Sequence, residues 1–176
     1  MITCKADLRE YLECDRIALG YKKKKPAFRD IVWKYEIYLR KSEYYTNVKG
    51  GLLHRMLRAY NVAKWNFYGL LCGFSIGLNC FGKGLSISHM GTIVVNHSAR
   101  IGENCRLHVC TNIGTGSPAI GNNVYIGPGV KIFGAITVAD NIRIGANAVV
   151  NKDFLTPGVT IVGVPAKEVK KRNKEQ

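Results

Sequence analysis

Between Ile101 and Asn151 an aliphatic residue returns about every six positions. The units run Ile101-Gly-Glu-Asn-Cys-Arg, Leu107-His-Val-Cys-Thr-Asn, Ile113-Gly-Thr-Gly-Ser-Pro-Ala (with one extra residue), Ile120-Gly-Asn-Asn-Val-Tyr and Ile126-Gly-Pro-Gly-Val-Lys. They continue through Ile132-Phe-Gly-Ala-Ile-Thr, Val138-Ala-Asp-Asn-Ile-Arg and Ile144-Gly-Ala-Asn-Ala-Val to Val150. Neither a helix nor an alternating strand has this period. Hexapeptide repeats predict a parallel β-helix whose coil has three short flat sides. The aliphatic first position points into a narrow prism and stacks on its equivalents in neighbouring coils. The glycine that usually follows is expected to supply corner angles that a Cβ would resist. The fifth position also points inward and must be slim: Cys105, Thr111, Val124, Val130, Ile136, Ile142, Ala148. A β-sandwich with Gly-rich turns is the competing fold, but its strands alternate with period two and turn less regularly.

The pattern changes upstream. Residues 1–73 are poor in glycine, rich in aromatics and Lys/Arg, and helical in their apolar spacing. Leu8, Tyr11 and Leu12 share one face; Ile31, Tyr35, Tyr38 and Leu39 share another. Pro26 is expected to open the second helix, and Asn47-Val-Lys-Gly-Gly to end it. A third helix is expected from Leu52 to about Leu71, with Leu53, Met56, Leu57 and Tyr60 on one side. The expected division is an α-helical N-terminal region over 1–73, the β-helix over 74–162, and a C-terminal extension with a basic tail over 163–176. A helical cap has a physical task, because the first coil would otherwise expose an unpaired edge.

Composition narrows the class. A hydrophobic content of 47% with 22% charged residues describes a globular chain. No apolar run is long enough to span a bilayer, and the start shows no basic-then-apolar leader, so a cytoplasmic protein is expected. The net charge is +14, concentrated in Lys22–Lys25 and in Lys167, Lys170, Lys171, Arg172 and Lys174. Such runs are solvated loops or attract anions: a phosphorylated cofactor, an acidic glycan or a membrane surface. No zinc-finger spacing, recognition helix or aromatic-rich strand points to nucleic acid. The six cysteines form no CxxC pair and are expected to be thiols.

Repeats ending in Gly163-Val-Pro-Ala-Lys167 resemble the acyl-CoA-dependent hexapeptide acyltransferases, and most closely the serine acetyltransferases and their relatives in polysaccharide gene clusters. Gly82-Lys-Gly-Leu-Ser-Ile-Ser-His89-Met-Gly-Thr-Ile-Val-Val95 is similar to the family segment around its catalytic histidine. Asp7-Leu-Arg-Glu-Tyr-Leu-Glu-Cys-Asp15 resembles the family's early pair of aspartates. The resemblance implies a left-handed β-helix, although the general rule for parallel crossovers favours the right hand. It also implies a homotrimer and acetyl-CoA lying in a groove between subunits. His89 becomes the general base, which takes the proton of an acceptor hydroxyl as the oxygen attacks the thioester. An imidazole suits that step because its ordinary pKa, about 6.5, leaves much of it neutral at cellular pH. Asp15 becomes an acceptor-binding residue. By position, Gly114 and Thr115 lie at the thioester end, where a backbone N–H is expected to stabilise the oxyanion. Pro128 and Ala146 line the pantetheine arm, and Lys167 meets the nucleotide phosphates.

Two departures bear on the acceptor. Ser88 stands where the family has an aspartate before the histidine, so Asp15 or Glu103 is left to orient the ring. Ile113–Ile120 is shorter than the family's loop and lacks its Arg-His pair, which removes a cation for a serine carboxylate and favours a neutral sugar hydroxyl. His108, nineteen residues after His89, is expected beside it on the next coil, as a second active-site histidine or an outward side chain. His97 and His54 are expected on the surface and in the cap. A related zinc-dependent β-helix class spaces its histidine ligands differently, so no metal is expected. The reading from another class is a non-catalytic scaffold or regulatory subunit that binds a partner protein.

Overall fold

The computed structural model describes residues 1–169, so the basic tail from Lys170 lies outside the described residues. Three helices precede a solenoid of short parallel strands: α1 (Lys5–Ala18), α2 (Ile31–Asn47) and α3 (Leu52–Cys72). The sulfur of Cys4 accepts from the Asp7 backbone N–H, and the Asp7 carboxylate accepts from the Cys4 N–H in return, which caps α1. α2 starts at Ile31 rather than at Pro26, which lies in the preceding loop. α3 ends at Gly73, whose φ of 77° lets the chain turn directly into the first strand, Phe74–Ile76.

The strands form three faces of a prism. One stacks Phe74–Ile76, Ile93–Val95, Asn112–Ile113, Lys131–Ile132 and Val149–Val150. A second stacks Arg100–Ile101, Ala119–Ile120 and Thr137–Val138. The third runs from Ser86–Ile87 through Arg106–Leu107, Tyr125–Ile126 and Arg143–Ile144 to Thr160–Val162. Lys167–Glu168 then turns back antiparallel to close that face. First-position residues from Ile101 to Val150 are all buried, and so are the fifth-position residues from Cys105 to Ala148. Each large aliphatic side chain so buried contributes roughly 1.5–3 kcal/mol. Thr111, the one polar residue in that inner row, donates its hydroxyl to His108 O at 2.8 Å.

The corners differ from the sequence expectation. Left-handed backbone falls at the fourth position of the repeat, not the second: Asn104, Cys110, Asn123, Gly129, Asn141 and Asn147 all have positive φ. Asparagine tolerates this region better than most residues. Along one corner the amides form a ladder, with Asn104 Nδ2 donating to Asn123 Oδ1 at 2.9 Å and Asn123 Nδ2 to Asn141 Oδ1 at 3.2 Å. The second-position glycines serve close approach. A Cβ on Gly102 would lie 2.8 Å from the backbone of Gly121 on the next coil.

The helices close the open end of the prism with charged side chains. The carboxylate of Asp15 accepts from the N–H groups of Gly84 and Leu85 at 2.8 and 2.9 Å. Arg40 donates to Phe81 O and Gly82 O at 2.9 and 2.6 Å. Glu43 accepts from the Asn79 N–H at 2.7 Å, and Glu36 from the Ile87 N–H at 3.0 Å. These groups stand where a further strand would stand, so the edge is paired without β-structure. Arg40 also binds Asp15 (2.7 Å) and Glu43 (3.1 Å), and all three side chains are buried. Burial pulls the guanidinium down, but Asp15 and Glu43 together hold it above its ordinary value.

Candidate active site

A cleft of about 540 Å³ opens where the helical cap meets the third face of the prism. Its walls come from the end of α1, the loop to α2, the first turn of α2, and the turn Ser86–Met90. The loop is held by stacking of Tyr21 on Trp33 (4.5 Å), a hydrogen bond from Arg16 to Tyr21 O, and the Lys23–Asp30 ion pair. His89 is exposed in this cleft. Arg29, Arg106 and Asp30 line it too, and none of the three stands out in the sequence, because each reads as a solvated surface charge.

His108 does not stand beside His89. Ser86 pairs with Arg106 and Ile87 with Leu107, a twenty-residue offset, so the residue next to His108 is Ser88. The ring of His108 leans on Tyr125, with centroids 5.0 Å apart. Its Nε2 is buried without a partner, and so is the hydroxyl of Ser88. Burial holds the His108 imidazole below its ordinary pKa, and the Arg106 and His89 charges add to that. The two residues that carry these unpaired atoms are neighbours across the coils, and Ser88 directly precedes His89 in the chain.

Asp15 is spent on Arg40 and the first coil, and only 2% of it is exposed. Both of its oxygens are engaged inside the cap, by Arg40 and by the Gly84 and Leu85 N–H groups. It does not orient His89 either, nor does Glu103, whose carboxylate lies 3.8 Å from Lys83. Asp30 is the carboxylate that lines the cleft, and its bonds with Lys23 and the Ala27 N–H hold it below the ordinary carboxylate range.

The register sets the remaining residues. Carried one turn beyond the paired strands, it places His89, Val109, Pro128 and Ala146 on successive coils of one corner. Backbone bonds from Gly129 N to Val109 O (2.9 Å) and Asn147 N to Pro128 O (2.8 Å) fix that row. Pro128 and Ala146 are exposed there, and Lys167 is exposed at the far end of the same face. Gly114 and Thr115 lie at a different corner, after Asn112–Ile113. The Gly114 N–H donates to Ile132 O at 2.7 Å, so it is not free to hold an oxyanion. His97 is exposed at that same corner, and His54 belongs to the cap, with Nε2 3.1 Å from Tyr45 O. Among the described residues no three His, Cys, Asp or Glu side chains converge as a metal site.

Glu36 underlies the cleft through Ile87, and its second oxygen is buried without a partner. Burial, then the Asp15 carboxylate, hold its pKa well above the ordinary glutamate value. The native side chain is thus neutral where the unfolded one is ionised. Its stabilising contribution is complete below the unfolded pKa and is lost as pH rises through the folded one. Glu36→Gln is therefore expected to raise Tm at about pH 8 and leave it unchanged at about pH 4. Thermal denaturation at the two pH values checks this.

A helical cap on a three-sided parallel solenoid, with one exposed imidazole in the cleft between them, defines a hexapeptide-repeat protein. No protein-family model matches the chain. A serine acetyltransferase of Helicobacter pylori is 33% identical over 131 residues, covering 65% of this chain and 72% of the relative. The fold matches soybean serine acetyltransferase with a TM-score of 0.71 at 24% identity, covering 94% of this chain and 70% of that one. It matches a serine acetyltransferase in complex with CoA with a TM-score of 0.73 at 23% identity, covering 94% and 71%. The chain belongs to the serine acetyltransferase family of acyltransferases.

Proposed function

We propose that the protein transfers acetyl from acetyl-CoA to an acceptor hydroxyl, with His89 as general base. The observation that carries this reading is His89 itself, exposed in the cleft in a chain of this family. The hydroxyl proton passes to the imidazole as the oxygen attacks the thioester carbonyl. The tetrahedral intermediate collapses, the C–S bond breaks, and the CoA thiolate takes up the proton. No acyl-enzyme and no metal are needed.

The exposed corner row suits an extended cosubstrate. Pro128 and Ala146 offer small apolar contacts along the pantetheine arm, and Lys167 offers a cation to the phosphates. Gly114 and Thr115 sit on another corner of the same chain. They join His89 only if a neighbouring copy supplies them, which is the argument for a homotrimer with the cosubstrate in its grooves. Thr115, not Gly114, then remains to supply the oxyanion N–H.

Two observations bear on the acceptor. Arg29 and Arg106 line the cleft and restore a cationic partner for a carboxylate, which favours L-serine and replaces the Arg-His pair that the short Ile113–Ile120 turn lacks. The unpaired Ser88 hydroxyl and His108 Nε2 favour an acceptor with several hydroxyls, such as a sugar. Thiol release from acetyl-CoA, with serine and a panel of sugars offered in parallel, separates the two. We expect release with serine that falls when Arg106 is changed to Ala. Release with sugars alone assigns the cleft to a glycan acceptor, and no release with any acceptor overturns the reading in favour of a scaffold.

A further inference from the structure

α3 buries Asn61, Gly69 and Cys72 against the rest of the molecule and turns a second apolar face outward. At 100° per residue, Leu52, Met56, Tyr60, Phe67, Leu70 and Leu71 fall within an arc of about 100°. Leu52 is 72% exposed, Met56 61% and Leu70 84%. Twenty-one residues carry the stripe over about 30 Å. Apolar exposure of this length marks a docking surface.

The charge pattern selects the occupant. α3 contains Arg55, Arg58 and Lys64 and no Asp or Glu. The outer side of α2 adds Lys41, held 5.5 Å from the Tyr38 ring, which itself packs on Tyr60 and Tyr68 of α3. A second copy of this face would set cation against cation with no acid on the helix to relieve it. An anionic surface supplies the missing partner. We infer that α3 lies in the interface of an anionic lipid bilayer. Its apolar stripe sits at the headgroup–acyl boundary, and Arg55 and Lys64, one on each edge of the stripe, sit on lipid phosphates. The inference does not depend on the acceptor. It does place the cleft near the lipid, because Gly91, two residues after His89, donates its N–H to Cys72 O at the end of α3 (2.9 Å).

Flotation of the full chain with two kinds of vesicle tests this: phosphatidylcholine alone, and phosphatidylcholine with roughly 30% phosphatidylglycerol. The protein is expected to float with the anionic vesicles only, and less so at high salt. Arg55→Ala with Lys64→Ala is expected to lower partitioning about thirtyfold, from about 1 kcal/mol per cation. Met56→Glu with Phe67→Glu is expected to lower it more than about a hundredfold while circular dichroism stays native, since both side chains are exposed. Three results would each overturn the inference. One is no flotation with anionic vesicles. Another is equal flotation of the Met56→Glu/Phe67→Glu variant, which would make binding a matter of net charge alone. The last is a fall in solution mass for that variant without vesicle binding by the wild type, which would make the face a protein–protein contact.

Discussion

His89→Ala is expected to lower kcat for acetyl transfer by about 10²–10⁴-fold, the usual contribution of a positioned general base. The side chain is exposed at a corner and supports no buried packing, so the thermal transition is expected to stay where it is. The KM for acetyl-CoA is expected to change little, because in the proposed mechanism the imidazole acts on the acceptor oxygen and not on the pantetheine arm. Steady-state kinetics beside a melting curve read both effects at once. His108→Ala belongs in the same experiment. It sits next to Ser88, and burial lowers its pKa, which favours a polar contact with the acceptor over proton storage in the proposed mechanism. A smaller loss, seen mainly as a higher KM for the acceptor, follows from that placement.

Arg40→Ala is expected to cost about 3–5 kcal/mol of stability, because it strands the carboxylates of Asp15 and Glu43 inside the cap. Two carbonyls of the first coil, Phe81 O and Gly82 O, would lose their donor in the same step. For a chain of this size the midpoint should fall by roughly 10 °C. Arg40→Lys keeps the charge but not the fork that reaches four acceptors, so it should recover only a fraction. Differential scanning calorimetry checks the magnitude. Hydrogen exchange over residues 79–87 checks the mechanism, since those N–H groups should lose protection first.

The solenoid was legible because its cause is local. A first-position aliphatic every six residues needs no knowledge of distant parts, and the nine first positions from Ile101 to Val150 are all buried as the period implies. The corners are less legible. Glycine at the second position suggests backbone freedom, yet Gly102 is there because Gly121 crowds it, while the left-handed angles fall to residues such as Asn104 and Asn123. Spacing between the coils also drifts. The offset along the third face shortens from twenty residues at Ser86–Arg106 to eighteen at Tyr125–Arg143. A count of nineteen therefore put His108 beside the wrong neighbour.

The helical cap was harder, because its polar residues act over long sequence distances. Asp15 looks like a ligand residue in sequence; its partners, Arg40 and the Gly84 and Leu85 N–H groups, lie 25 to 70 positions away. Arg40, Glu36 and Glu43 carry no pattern of their own, although they decide how the edge of the prism is closed. The apolar side of α3 was visible as a stripe, but amphipathic spacing cannot say whether a stripe faces the core or the outside. The same limit held for Arg29 and Arg106, which only the fold brings into the cleft of His89.

A crystal structure of the protein with CoA and a hydroxyl acceptor tests the central claim most directly. The thiol is expected at the corner shared by His89, Val109, Pro128 and Ala146, with the acceptor oxygen within hydrogen-bonding reach of the His89 ring, about 2.6–3.2 Å. CoA bound away from that corner, or an acceptor oxygen held by another base with His89 turned to solvent, would contradict it.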